Sequence, residues 1–415
     1  MSASAQRRPL IDPALLVVLA GVCAALHVGK LPPSIPVLRE ALGISLVQAG
    51  FLLSAVQIAG MSTGLLIGRL ADGLGLRRSM LLGLAVLALA SVAGAAAMGV
   101  TALLVLRGIE GLGFLLVVLP APSMVRRLVA PERMSRVLGL WGGYMPLGTA
   151  LALLVGPVLT ESLGWPAWWG LLGAVSAGMA LWVWRAVPPD PTQLPATAPG
   201  RSGPWAWLRP IHNTLRAPGP WLVALCFGLY SAQWLSVVGF LPSIYREAQV
   251  PGAWVGVLTA CVAAINIVGN VAAGRLLHRG WAPVHLLWLG CACMGLGAVL
   301  AFAANAQGAG LPAAVRYAGV LLFSCGGGLI PGTLFSLAVR VAPSEQTVAT
   351  TVGWMQQWSA FGQFAGPPLV AWVAVRSGGW RWTWLVTVAC AAACALLAAV
   401  LQRHLQGQAR PRAAG

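Results

Sequence analysis

The amino-acid sequence predicts an all-α membrane protein: twelve transmembrane helices arranged as two pseudo-symmetric six-helix bundles. Three observations carry that prediction. Of 415 residues, 58% are hydrophobic and 8% charged, where a water-soluble domain carries about 25% charged residues. The apolar residues gather in runs of about 20, the length a helix needs to cross a hydrocarbon core about 30 Å thick. With no water in that core, the backbone must satisfy its own hydrogen bonds, which a helix does. Finally, sequence landmarks recur at a spacing close to half the chain.

The spans are expected at 13–33, 46–67, 79–98, 101–122, 137–160, 166–184, 221–241, 253–274, 283–304, 313–336, 347–374 and 380–401. An even number puts both chain ends on one side of the bilayer. Basic clusters at Arg77 and Arg78, at Arg126 and Arg127, and at Arg403, Arg410 and Arg412 identify that side as cytoplasmic under the positive-inside rule. Lys30, Arg39, Arg246, Arg316, Arg376 and Arg381 are expected on the far face, and Arg107 within a helix. The formal net charge of +17 is therefore scattered between apolar runs. It forms no continuous stripe of the kind that tracks phosphates, which excludes nucleic acid and leaves the lipid bilayer as partner. The first apolar run lacks a small-residue cleavage site and is expected to be retained. All eight cysteines fall within apolar helices, where they serve packing and form no disulfide framework.

The longest break, 185–220, contains Pro188, Pro189, Pro191, Pro195, Pro199, Pro204, Pro210, Pro218 and Pro220. Proline at that density forbids a continuous helix and favours an extended linker, with Trp205 and Trp207 suited to rest at the interface. The domains are thus 1–184, a cytoplasmic linker 185–220, and 221–415 with a short basic tail. Across that linker the halves repeat. Gly68-Arg69-Leu70-Ala71-Asp72 has a weaker counterpart in Gly274-Arg275-Leu276-Leu277-His278, offset by 206. Gly156-Pro157 matches Gly366-Pro367 at an offset of 210, and Pro131 matches Pro343 at 212. Near-equal offsets argue for an internal duplication, and parallel six-helix halves are a transporter architecture.

The most specific motif is Gly68-Arg69-Leu70-Ala71-Asp72-Gly73-Leu74-Gly75-Leu76-Arg77-Arg78, between the second and third spans. It resembles the signature loop of the major facilitator superfamily, with Gly73 and Leu76 standing where that family has basic residues. The glycines permit a tight turn, and Asp72 is able to accept hydrogen bonds from a helix N-terminus or an arginine. The resemblance implies that this loop latches the two halves on the cytoplasmic side, with Arg136 as a partner for Asp72. It extends over nearly the whole chain and implies alternating access, two bundles rocking around one central site.

In the fourth span, Leu106-Arg107-Gly108-Ile109-Glu110-Gly111 resembles the family's Arg-x-x-Gln-Gly element, with Glu110 in place of glutamine. At about 1.5 Å per residue, Arg107 lies about 9 Å deep and Glu110 about 13 Å. A charge near the bilayer centre costs about 2.5–3.5 kcal/mol on insertion scales, so the two need partners. Residues three apart share a helix face, so they are able to pair. Two readings stay open: a proton carrier, or a fixed structural ion pair. Gly156-Pro157 resembles the Gly-Pro element of proton-driven exporters in the superfamily, and with Gly366-Pro367 it is a candidate hinge, since proline bends a helix.

Further pathway candidates are polar or aromatic residues at middle depth: His27 and Lys30 in the first span, Gln57 in the second, and Tyr144 in the fifth. The second half offers Tyr230, Gln233, Asn266, Asn270, Gln356, Gln357 and Gln363. Each is equally open to a plain interhelical hydrogen bond. Gly60, Gly64 and Gly68 form a small-residue ridge suited to helix packing. Gly60-Met61-Ser62-Thr63-Gly64 fits a hydrolase pattern but lies inside an apolar helix and not at a strand-to-helix elbow. The only lysine, Lys30, is followed by leucine, which excludes a nucleotide-binding P-loop. No cluster has metal-ligand spacing, so neither an enzyme, a metal nor a cofactor is expected. The expectation is a secondary transporter for a small anionic or neutral organic solute, proton-coupled and active as a monomer, in a bacterial inner membrane. A proton/drug antiporter is the alternative, and a sensor or enzyme retaining the fold is a distant one.

Overall fold

The structure is a computed structural model and describes residues 12–190, 208–305 and 310–409. Among the described residues the chain is helical, apart from turns and one isolated bridge, Ala304–Gly310. Eleven helical spans are long and apolar enough to cross a bilayer. The expected span 347–374 corresponds to α17 (Val348–Ser377), a 30-residue helix outside those eleven. It is less apolar because it carries Thr350, Thr351, Gln356, Gln357, Ser359 and Gln363, and it packs against other helices on several sides.

The first bundle comprises α1 (Pro13–Gly29) with α2 (Leu31–Leu42), α3 (Leu46–Ala55) with α4 (Ile58–Leu74), and α5 (Leu76–Ala95). It continues with α6 (Val100–Val118) and α7 (Ala121–Leu128), α8 (Pro131–Gly142) and α9 (Tyr144–Ser162), and α10 (Gly164–Ala186). The second comprises α12 (Pro218–Glu247), α13 (Gly252–His278), α14 (Pro283–Phe302), α15 (Ala313–Gly327) with α16 (Leu329–Val341), α17, and α18 (Thr383–Ala409).

Several spans outrun their expected ends, and local chemistry explains why. The first was expected to stop at 33 but runs to Leu42. Pro32 and Pro33 fall in the first turn of α2, where a missing N–H leaves no intrahelical bond unmade, so the prolines bend the span at Lys30 without ending it. Pro120, Gly143 and Gly328 mark the breaks in the fourth, fifth and tenth spans. Asp12 caps α1 by accepting the Ala14 N–H at 3.0 Å, and Ser45 with Gln48 forms a capping box on α3. The 185–220 segment departs from a purely extended linker: α10 runs to Ala186, and a two-turn helix, α11 (Arg209–Arg216), precedes α12. Pro210 sits in the first turn of α11, again where its missing N–H is harmless. Trp205 and Trp207 lie outside the described residues.

The duplication is visible in how the bundles meet. The fifth span packs on the eighth (α9 on α13) and the eleventh on the second (α17 on α3 and α4). Exchanging the halves turns the first contact into the second. The repeated Gly-Pro pair repeats its role too. A Cβ on Gly156 would stand 2.5 Å from Pro33 of α2, and one on Gly366 would stand 2.3 Å from the Ala232 carbonyl of α12. In each half this glycine lets the first span of that half approach closely. Both α9 and α17 continue unbroken through Pro157 and Pro367.

Candidate functional site

A cavity of about 170 Å³ lies at the seam between the bundles. The first half contributes Gln57 from the break between α3 and α4, Phe114 from α6, and Tyr144 and Met145 from α9. The second half contributes Tyr230, Ser231 and Trp234 from α12, Asn266 and Asn270 from α13, Phe335 from α16, and Gln356, Ser359 and Gln363 from α17. Among the described residues, no charged side chain lines it.

The polar groups of the wall are held by one another. Gln57 Nε2 donates to Gln363 Oε1 at 3.0 Å, a bond between the halves, and Gln363 Nε2 donates to Ser359 Oγ at 3.3 Å. Ser359 in turn shares a hydrogen bond of 2.7 Å with Ser231. On the α13 side, Asn266 Nδ2 donates to the Tyr230 hydroxyl at 3.1 Å and to the Ser324 carbonyl at 2.8 Å. Asn270 Nδ2 donates to Asn266 Oδ1 at 2.9 Å, which the four-residue spacing allows. Tyr144 stacks on Trp141 with ring centroids 4.3 Å apart. The result is a cavity with apolar aromatic faces and a few fixed amide and hydroxyl groups, the usual composition of a small-molecule site.

Six of the expected pathway residues thus converge: Gln57, Tyr144, Tyr230, Asn266, Asn270 and Gln356, along with Gln363. Six others do not line the cavity. Gln357 is a strut between the halves, donating to the Met61 carbonyl at 2.8 Å and accepting the Leu65 N–H at 3.2 Å. Gln233 is buried, with Nε2 on the Leu229 carbonyl. His27, Lys30, Arg107 and Glu110, expected along the pathway, lie inside the first bundle, at most 1% exposed and away from the cavity wall.

Those four form one ionic cluster. Lys30 Nζ donates to Glu110 and, at 2.9 Å, to Ser91 Oγ, and it stands 4.5 Å above the Trp169 ring. Arg107 Nη1 donates to Glu110 Oε2 at 2.6 Å and to the His27 carbonyl at 2.7 Å, while its Nε reaches the Leu52 carbonyl at 3.3 Å. His27 Nε2 pairs with Ser176 Oγ at 2.7 Å, and Nδ1 stands 3.6 Å from Glu110. Two cations therefore share one carboxylate, and Arg107 Nη2 and His27 Nδ1 are buried without hydrogen-bond partners. The i, i+3 pairing of Arg107 and Glu110 was legible in the sequence; the entry of Lys30 was not. Backbone links the cluster toward the cavity wall. Arg107 grips the carbonyls of His27 and Leu52, and a Cβ on Gly111 would stand 2.1 Å from the Val56 carbonyl, next to Gln57.

At one end of the first bundle, the signature-like turn is organised by a residue that sequence reasoning missed. Asp190, past the end of α10, accepts the Arg77 N–H at 3.0 Å and the Arg127 guanidinium at 2.6 Å, with the Arg78 N–H at 3.4 Å. It caps α5 from 113 residues away, so no local spacing signals it. Partial burial raises the Asp190 pKa, but the hydrogen bonds of Arg77, Arg127 and Arg78 outweigh burial and hold it below the usual value. Gly75 is required here, with φ of 91° and Asp190 Oδ2 where a Cβ would stand. Gly68 falls within α4, and the side chains of Asp72 and Arg136 lie outside what the structure describes.

Two bundles of membrane-length helices enclose at their seam a cavity of aromatic faces and neutral polar groups. The chain belongs to the Major Facilitator Superfamily, whose sequence pattern matches residues 17–364. It is a secondary transporter family, and its members are not enzymes. A chloramphenicol resistance protein of Pseudomonas aeruginosa is 25% identical over 296 residues, 71% of this chain and 68% of that one. A tetracenomycin C resistance and export protein of Streptomyces glaucescens is 28% identical over 156 residues, 37% of this chain and 29% of that one. The chain spans well under half the length of the first curated relatives it matches. Among solved structures, a bacterial homolog of the human lysosomal transporter Spinster, inward-facing and unoccupied, superposes with a TM-score of 0.76. That match covers 97% of this chain and 98% of the other at 15% identity, a likeness of fold.

Proposed function

We propose that this chain moves a small, neutral organic solute across a bacterial inner membrane, and that the solute binds among Gln57, Tyr230, Asn266, Gln356 and Gln363. The observation that carries this reading is that, among the described residues, the cavity wall holds no charged side chain. A charged solute would have to leave water for aromatic walls and neutral dipoles, which is costly without a countercharge. A neutral solute with amide, hydroxyl or carbonyl groups matches the amides and hydroxyls present. Of the two substrate classes expected from sequence, the neutral one is therefore kept. Because both halves contribute, rocking them apart would carry the site from one face of the membrane to the other.

Proton coupling belongs to the same reading, with the Lys30–Glu110–Arg107–His27 cluster as the proton-handling element. A change in its charge would reach Gln57 through the Leu52 and Val56 backbone, not through contact with solute. Both ends of the chain are assigned to the cytoplasm, since Arg77, Arg78, Arg126, Arg127 and Arg133 all gather at the end where Asp190 lies. The chain is assigned to act singly, because one chain supplies both walls of the cavity.

The test is transport by the purified protein in liposomes, with and without a pH gradient, against neutral amides, carboxylates and lipophilic cations. Selective, gradient-driven movement of neutral compounds supports the reading; selective movement of either charged class overturns it. A second reading, efflux of drug-like compounds, is favoured by the two resistance proteins named above and by the aromatic cavity walls. Raised resistance of an efflux-deficient host expressing the chain would separate it from uptake.

A further inference from the structure

Far from Asp190, at the end that carries Gly43 and Glu247, the halves enclose a second space. It is a cleft of about 470 Å³ between α2 with its terminal turn and α12. The first half supplies Arg39 and Glu40; the second supplies Ser243, Arg246 and Glu247. Two of these are already engaged. Arg246 is paired with Glu161 of α9, and Glu247 accepts the Trp380 indole N–H at 2.7 Å. The other three are not. Arg39 Nε and Ser243 Oγ are buried without a hydrogen-bond partner, Ser243 being 3% exposed. Glu40 is exposed and has no ion pair among the described residues.

We propose that this cleft is a binding site for a small amino-carboxylate zwitterion. Its carboxylate is received by Arg39 of one half and Ser243 of the other. Its ammonium group lies at the rim against Glu40 and Glu247. Both residues line the cleft, from opposite halves, and buried donors left unmet are costly. The planar guanidinium suits a carboxylate in particular. A simple anion would answer Arg39 but leave Glu40 unpaired, while a simple cation would leave both buried donors unmet. A molecule carrying both charges satisfies every unengaged group. Because the walls come from different halves, an occupant binds the arrangement in which α2 and α12 stand together, and by linkage favours it. The cleft is thus a modulating site, independent of what the central cavity carries.

The experiment is calorimetric titration of the full chain in lipid nanodiscs with β-alanine, γ-aminobutyrate, butyrate and n-butylammonium. At least one zwitterion is expected to bind ten-fold or more tightly than butyrate and n-butylammonium. Arg39→Gln and Ser243→Ala are each expected to weaken it several-fold, while Asn266→Leu in the central cavity leaves it unchanged. Ser243→Ala keeps the test decisive if Arg39→Gln does not fold. The proposal is overturned if neither zwitterion binds or if butyrate binds equally well. It is also overturned if the folded cleft variants bind as the parent does, or if Asn266→Leu abolishes binding.

Discussion

Gln57 and Gln363 meet at 3.0 Å across the seam between the two halves, at the edge of the central cavity. Gln57 occupies the break between α3 and α4, and Gln363 lies on α17. The bond therefore ties the most irregular point of one half to the long polar helix of the other. Replacing Gln363 with Leu removes it and leaves the Gln57 amide unmet. A hydrogen bond of this kind is worth about 0.5–1.5 kcal/mol, so the balance between open and closed seams should shift by a few-fold. The rate of thiol labelling at a cysteine placed at Ser231 reports that shift; an unchanged rate would mean the contact is incidental.

Charge arithmetic in the buried cluster makes an unequal prediction for two partners in one ion pair. Lys30→Met leaves Arg107 and Glu110 as a balanced pair. Glu110→Gln leaves two cations in the bundle interior with no countercharge. Removing one partner of a buried pair costs about 3–5 kcal/mol, and that figure applies to Glu110→Gln. Lys30→Met should cost clearly less. Thermal unfolding in detergent measures both, and equal losses would contradict the assignment of Glu110 as the shared counterion.

Asp190 should lend the turn at Gly75 a pH-dependent stability. Its pKa is held below the ordinary value in the folded chain. Its contribution is therefore complete above the unfolded carboxyl value and is lost as pH falls through the lower, folded one. Asp190→Ala removes a helix cap and should cost about 1 kcal/mol near neutral pH. The difference between variant and parent should shrink in acid. Unfolding midpoints measured across that range decide it, and a difference independent of pH would show that the carboxylate charge is irrelevant.

Arg246 and Glu161 join the halves at the end remote from Asp190. They are 35% and 42% exposed, so the pair is worth about 0.2–1 kcal/mol and is weakened by salt. Glu161→Gln should leave overall stability nearly unchanged while speeding labelling of a cysteine at Ser243 by up to about five-fold. High salt should reproduce the effect in the parent. Labelling insensitive to both changes would remove this pair from the set of contacts that close that end.

The candidate site was only partly legible in the sequence, and the pattern of success is informative. Asn266 and Asn270, four apart on one helix, were readable as a shared face, and they do line the cavity with Tyr230. Gln57 and Gln356 were readable as polar groups at middle depth. Ser231, Trp234 and Ser359 were not, because small hydroxyls and aromatics are ordinary anywhere in an apolar helix. His27, Lys30 and Arg107 were readable as charges within the spans but not as residues set behind the cavity wall. Depth along a helix is readable from residue count, but the direction a side chain faces depends on which neighbours surround it.

The all-helical membrane fold and the approximate placement of its spans follow from the sequence alone, because lipid imposes one requirement on every crossing segment and apolar runs of that length record it. The Gly-Pro repeat at Gly156 and Gly366 is likewise inherited by both halves. Only the tertiary structure decided which polar groups meet. Lys30 finds Glu110 across 80 residues, Asp190 caps a helix 113 residues earlier, and Gln57 reaches Gln363 over 306. Such pairings depend on packing between helices, a property that no local pattern of residues encodes.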